Sequence, residues 1–257
     1  RSYAKKSQIT ETGDSASFPK RKDPEVSEYS ITKTYGGLLA KLEEAFNKDT
    51  PLFSLPIYYP LNYYKGNPED IEDYDFVAGR QKQVVQLVRT VFLKRFESSV
   101  FAFETSCSKL LLKLLAFLEK HCETESEKDN LLKWRKKHEK ILNFEHDKQL
   151  EIWSEEERDE EDDALIDEEL LESIEQLNRD EYDISSMILE TFNDLDVAVG
   201  FLEETQKISS KEDDKLKKLT RMLKTKDFEN QKVLIFSEFA DTVRYIEKHL
   251  KTEGIDG

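Results

Sequence analysis

Between Gly79 and Gly200 the chain runs for 120 residues without a glycine or a proline. Strands joined by tight turns need both residue types, because glycine supplies positive φ and proline a fixed φ. A breaker-free stretch of this length is therefore read as helical, and the apolar spacing agrees. Val84, Val88, Phe92, Phe96, Val100 and Phe103 recur every three or four residues, and Leu110, Leu111, Leu114, Leu115 and Leu118 extend the stripe. Each series places an apolar face along one side of a helix. The pattern predicts a first long helix from about Arg80 to about His121, with room for a break around Thr105 to Ser108, and a second from Glu127 to about Trp153. A third helical stretch carries Leu170, Leu171, Ile174 and Leu177, and a fourth spans about Ile184 to Ile208. No strict heptad persists, so a mixed bundle fits better than a coiled coil.

Charge divides the chain unevenly. Its net charge is −16, and the stretch Ser154 to Asp183 alone holds 16 acidic residues against Arg158 and Arg179. The remainder is close to neutral, which leaves room for a local basic face on an acidic protein. Glu155 to Asp163 is acidic at eight of nine positions. Like charges at that density repel and favour solvation, so a solvated loop at about 154–169 is the plain expectation. A basic partner docking on 154–183 is the functional alternative. The longest apolar block, Leu110 to Leu118, contains Lys113 and is too short to span a bilayer, so no membrane partner is expected. The chain opens Arg1-Ser2-Tyr3-Ala4-Lys5-Lys6, without the apolar segment of a secretory signal. Cys107 and Cys122 are the only cysteines and suit free thiols. A cytoplasmic protein is the expectation.

The flanks differ from the middle. All six prolines precede residue 69. Glu25-Val26-Ser27-Glu28-Tyr29-Ser30 alternates weakly, as an edge strand would. A helix fits Thr32 to Phe46, with Ser30 or Thr32 as N-cap. Pro51 to Tyr64 is too proline-rich for a regular element. Its tyrosines could stack on bases, but an apolar loop laid across the helices with phenol hydroxyls at the rim is the better reading. Near the other end, an amphipathic helix of roughly Lys211 to Lys224 carries Leu216, Leu219 and Leu223 on one face. Lys232-Val233-Leu234-Ile235-Phe236-Ser237 then reads as a strand buried on both faces of a parallel sheet. Asp241 is placed to cap a helix bearing Val243, Ile246 and Leu250 that stops at Gly254. A lone strand–helix pair completes no sheet, so the chain is expected to belong to something longer.

Few residues carry chemistry by themselves. There is no phosphate-binding G-x-x-x-x-G-K-[ST] loop, no G-x-G-x-x-G, no nucleophile elbow and no H-E-x-x-H. The four histidines are scattered, and His138 and His146, eight apart, fit solvent-facing positions better than a metal site. The acidic run lacks the alternation of a calcium loop.

Two phrases stand out. Lys232-Val233-Leu234-Ile235-Phe236-Ser237-Glu238-Phe239-Ala240-Asp241-Thr242 resembles the opening of the second RecA-like lobe in the Swi/Snf-type family of superfamily-two helicase-like ATPases, where the pattern is approximately V-L-I-F-S-Q-F-x-D-T and forms helicase motif IV. Glu238 stands where that family commonly has Gln, and a carboxylate there would repel a phosphate. Leu87-Val88-Arg89-Thr90-Val91-Phe92-Leu93-Lys94-Arg95-Phe96-Glu97-Ser98-Ser99 resembles the L-L-K-R-x-E-S-S segment between the two lobes of prokaryotic members. The opening residues, with Phe18-Pro19-Lys20-Arg21, resemble the tail of the stretch after the first lobe. Glu123 to Ile208 is matched only as a helical insertion.

The resemblance implies a mainly α chain, a helical bundle or protrusion with a C-terminal βα element from the start of a RecA-like α/β lobe. It divides the chain into an interlobe segment at 1–79, a helical insertion at 80–208, and a linker helix with the first βα unit at 209–257. It implies part of an ATP-dependent nucleic-acid translocase, with DNA favoured over RNA. ATP and Mg²⁺ would be bound by the parent protein, with neither expected on this fragment. Arg89, Lys94 and Arg95 would track phosphates from one helix, the competing expectation being that Arg95 pairs with a nearby acid and the block holds the helix against a lobe. Ser237, Glu238 and Thr242 would lie at the mouth of a parallel strand, where α/β sheets place ligands. The contrasting hypothesis is a non-catalytic helical interaction module that recruits a basic partner through its acidic segment.

Overall fold

The computed structural model describes residues 23–47, 53–152, 172–228 and 231–255, with no side-chain description for 146–152. The opening segment through Arg21, the acidic run 155–163, and Leu170 and Leu171 lie outside the described residues. The chain is mainly α. Helices α1 (Ile31–Ala45), α2 (Tyr74–Ser98), α3 (Val100–His121), α4 (Glu125–Lys137), α5 (Glu139–Ile152), α6 (Ile184–Thr205), α7 (Asp214–Leu223) and α8 (Ala240–Thr252) follow one another. Three 3₁₀ turns (Pro56–Tyr58, Pro60–Tyr63, Pro68–Asp70) precede α2.

Five of these helices start where a side chain satisfies a free amide of the first turn, at Ser30, Ser99, Thr124, Asp183 and Asp213. Ser99 is extended (φ −162°, ψ 156°), and its hydroxyl accepts from the Ala102 N–H at 3.1 Å, capping α3. The break expected around Thr105 to Ser108 is absent, because those hydroxyls donate within α3, to Phe101 O, Ala102 O and Glu104 O. The helix expected over Glu127 to Trp153 is two. Thr124 and Glu127 form a reciprocal cap at the start of α4, and α4 ends at His138, whose ring lies 4.5 Å from that of Trp134. Ile174 and Leu177 are buried but lie beyond any helix. Residues 175–178 carry no regular structure and a turn at 179–181 returns the chain past Tyr64, where a single antiparallel bridge joins Tyr64 to Tyr182.

The core is built around α3. Fourteen of its residues are buried, on all sides of the helix, and its main packing partner is α6, with α2 alongside. Phe103 sits at the centre of an aromatic group, 5.4 Å from Phe201, 5.6 Å from Phe96 and 6.0 Å from Phe92, all edge to face. Tyr35, Leu38, Leu42, Phe53 and Leu55 join the same cluster, so residues on either side of position 80 share one core. The proline- and tyrosine-rich segment lies across the helices. The Tyr63 hydroxyl donates to Glu190 at 2.6 Å, and the Lys113 ammonium stands 4.7 Å over the Tyr58 ring.

One turn in that segment is strained and held from a distance. Leu55 adopts φ 57°, unfavourable for a branched side chain, yet is fully buried. The Asp194 carboxylate accepts from the N–H groups of Ser54 (2.8 Å) and Leu55 (2.6 Å), which fixes the turn against α6. Desolvation pushes the Asp194 carboxyl up to about 7, against the lowering pull of those two amides.

Neither expected strand is present among the described residues. Residues 23–30 carry no regular structure, with Val26 exposed, and residues 231–237 form no bridge to any described segment. The physical reason is the same for both: a strand exists only through pairing, and no described segment offers an edge. The helix after the second run is present and stops at Gly254 (φ 71°), where the Ile255 N–H returns to Leu250 O. Asp241, expected to cap that helix, instead faces Arg95; the N-cap is Phe239, without a side-chain bond.

Candidate nucleic-acid interface

The corner at Ser99 delivers the last turn of α2 to the first turn of α8, which brings together two sequence segments about 140 residues apart. Arg95 reaches from α2 to three groups. Its guanidinium is paired with the Asp241 carboxylate, its Nε donates to Ala102 O at 3.0 Å, and its plane lies 4.9 Å over the Phe239 ring. Both partners of the Arg95–Asp241 pair are under one-fifth exposed. One turn on, the Ser98 hydroxyl lies 2.7 Å from Thr242 Oγ1 and 3.4 Å from Ser237 Oγ, and the Ser99 hydroxyl lies 2.8 Å from the same threonine oxygen. Thr242 and Ser99 are buried. Four hydroxyls and an ion pair thus seam the two segments together.

The remaining expected site residues divide. Lys94 and Glu238 lie on the outer edge of the seam, 3.4 Å apart and well exposed, a geometry that screening leaves weak. Ser237 accepts from the Phe239 N–H at 3.3 Å and so shapes the turn that starts α8. Arg89 stands apart. It turns inward, donates from Nε to Phe53 O at 3.1 Å, and its pKa is lowered by burial, an effect opposed by Asp194. Of the three basic residues, Lys94 keeps an exposed ammonium, while Arg89 and Arg95 are engaged within the protein.

A cleft of about 280 Å³ opens beside the seam, with Tyr29, Ser98, Lys215, Ile235, Phe236 and Ser237 among its lining. Of these six only Ser237 was among the expected site residues. Lys215 donates from Nζ to Glu97 O (2.9 Å) and Ser98 O (2.8 Å), the free carbonyls at the end of α2, and lies 5.4 Å over the Tyr29 ring. Burial lowers its pKa, opposed by Asp213 and Glu97. The amphipathic helix of roughly Lys211 to Lys224 was legible, but the reach of Lys215 to α2 was not, since spacing reports faces of one element and not which neighbour a face meets.

The apolar run next to the cleft is open. Val233 and Ile235 are 37% and 38% exposed and Leu234 and Phe236 80% and 88%. That alternation has period two, with the less exposed pair beside Val243 and Ile246 of α8 in a second hollow. Among the described residues no group of three or more His, Cys, Asp or Glu side chains is arranged to hold a metal, and no helix is long and apolar enough to cross a membrane. Compared with protein families, curated proteins and solved structures, the chain matches none.

Proposed function

We propose that this chain supplies the interlobe helical region and the leading βα edge of the second RecA-like lobe of an ATP-dependent nucleic-acid translocase of the Swi/Snf type. The observation that carries the reading is the seam itself. The two phrases that resemble the family are far apart in sequence, resemble different parts of it, and meet through Arg95–Asp241 and the Ser98, Ser99, Ser237 and Thr242 hydroxyls. A second observation supports the βα edge. An apolar run exposed with period two has the side-chain pattern of a strand whose sheet neighbours are supplied from elsewhere.

On this reading the ATP phosphates and Mg²⁺ are bound by other parts of the parent polypeptide, and the chain has no hydrolytic step of its own. Phosphoryl transfer in such proteins depends on positioning across a cleft, and closure moves one lobe along the nucleic acid. The seam's part is to hold the start of the second lobe on the end of α2. Lys94 and Ser237 form the edge nearest the path of the nucleic acid, which we take as DNA in preference to RNA, and Thr242, buried in the seam, holds that edge in place. Glu238 neutralises Lys94 until a phosphate competes for it.

The test is ATP hydrolysis by the polypeptide of the full reading frame, with duplex DNA, single-stranded DNA, RNA or no nucleic acid, beside this 257-residue chain. Turnover stimulated by nucleic acid, with the 257-residue chain silent, is the expected result. A full polypeptide with no nucleotide turnover overturns the reading and leaves the acidic segment 154–183, as a dock for a basic partner, as the function to pursue.

A further inference from the structure

Three consecutive residues at the start of α7 reach α1, α2 and α8. Asp214 accepts from the Ser30 N–H at 2.9 Å, and its own N–H donates to Thr34 Oγ1 at 3.0 Å, which ties α7 to the first turn of α1. Asp213 is 2% exposed. One of its oxygens accepts from the Leu216 N–H and caps α7, while the other receives the hydroxyls of Tyr35 from α1 (3.4 Å) and Tyr245 from α8 (3.2 Å). Lys215 closes the set by donating to the two carbonyls at the end of α2.

The chemistry of these contacts is that of a fixed joint. An isolated helix of ten residues is marginal in water, so the position of α7 is set by what it touches. A buried carboxylate with three donors and an ammonium on helix-end carbonyls are directional, unlike the apolar contacts of Leu216, and a small shift of either element breaks them. Desolvation, with the nearby Asp213 charge, holds the Tyr35 and Tyr245 phenols above their usual range, so both remain donors.

We infer that Asp213 and Lys215 form a coupling junction that makes α7, α8 and the Ser98–Ser99 corner move as one body. They are positioning residues, acting through α2 and α8. The junction stands on the contacts alone; the proposed function enters only in what the motion serves, the transmission of lobe movement to the helical bundle.

Hydrogen exchange on the 257-residue chain tests the junction. Lys215→Met keeps the stem and removes the donors, so amides of 240–252 should exchange about tenfold faster while those of α3 and α6 stay within about twofold of the unsubstituted chain. Lys215→Arg restores a donor and should restore protection. Asp213→Asn keeps an N-cap residue, weakens the acceptor for both phenols and should release α8 severalfold. Tyr245→Phe, which removes one oxygen and leaves the packing, should do the same if the other variants fold poorly. Unchanged exchange of 240–252 in Lys215→Met and Tyr245→Phe, or equal loss of protection in α3 and α6, overturns the junction. In the full polypeptide, Lys215→Met should lower the ratio of stimulated to basal ATP hydrolysis severalfold, and an unchanged ratio overturns the coupling. A full polypeptide that hydrolyses no ATP counts against the proposed function and leaves the exchange result to judge the junction.

Discussion

Helix α3 and the segment 231–237 are both apolar runs, and they meet opposite fates. Leu110 to Leu118 is packed between α2 and α6, with Leu111, Leu114, Leu115 and Leu118 fully buried. Val233 to Phe236, no less apolar, stands open to solvent. A helix satisfies its backbone internally and needs only side-chain neighbours, which the bundle supplies. A buried strand needs backbone partners on both edges as well. Apolar sequence therefore records a demand for burial, and the architecture decides whether the demand is met within the chain.

The largest effect should come from the enclosed side. Phe103→Ala removes the centre of the aromatic group and should cost about 3–5 kcal/mol in denaturant unfolding; a loss below about 1 kcal/mol would erase the contrast between the regions. Next is Asp194→Asn, which opposes an amide N–H₂ to a backbone N–H and should cost about 1–3 kcal/mol at pH 5. Because the folded Asp194 is pushed up to about 7, its stabilising contribution is complete below the usual carboxylate range and is lost as pH rises toward 7. The gap in Tm between the unsubstituted chain and Asp194→Asn should accordingly narrow from pH 5 to pH 8, and a gap that widens contradicts the assignment.

Smaller effects sharpen the comparison at the join and on the open side. Ser99→Ala removes the cap of α3 and one hydroxyl of the seam, and should cost about 1 kcal/mol. It should also raise amide exchange at the start of α8. Phe236→Ser, at the most exposed apolar position of the open run, should change stability by no more than about 0.5 kcal/mol in denaturant unfolding. A loss of 2 kcal/mol there would mean that the run is packed after all.

What could be read in advance follows from how local each cause is. The helical middle was legible because the lack of breakers and a three-to-four spacing are properties of the run itself. The corner at Ser99 was not placed, because Thr105, Ser106 and Ser108 offer the same hydroxyl chemistry, and only the three-dimensional path decides which serine caps and which bonds back along its helix. His138 gave no local warning of the α4–α5 break. The strand at 232–237 was read from its apolar run, a signal that describes a sheet interior and does not supply one. At the candidate site the residues were legible but their partners were not. Arg95 was expected to meet either phosphate or an acid, and the fold provides Asp241; Arg89 was grouped with it as a basic residue of the same helix, and the fold turns it inward to Phe53 O. Lys215 and Asp213 were missed since, apart from the cap that Asp213 gives α7, their contacts run across the chain.

The seam is the claim on which the functional reading stands, and a double-mutant cycle on Arg95 and Asp241 tests it most directly. Arg95→Ala, Asp241→Ala and the double variant, compared by denaturant unfolding of the 257-residue chain, should show a coupling energy of about 0.5–3 kcal/mol. Additive losses, with coupling indistinguishable from zero, would contradict the meeting of the two segments and with it the account built on them.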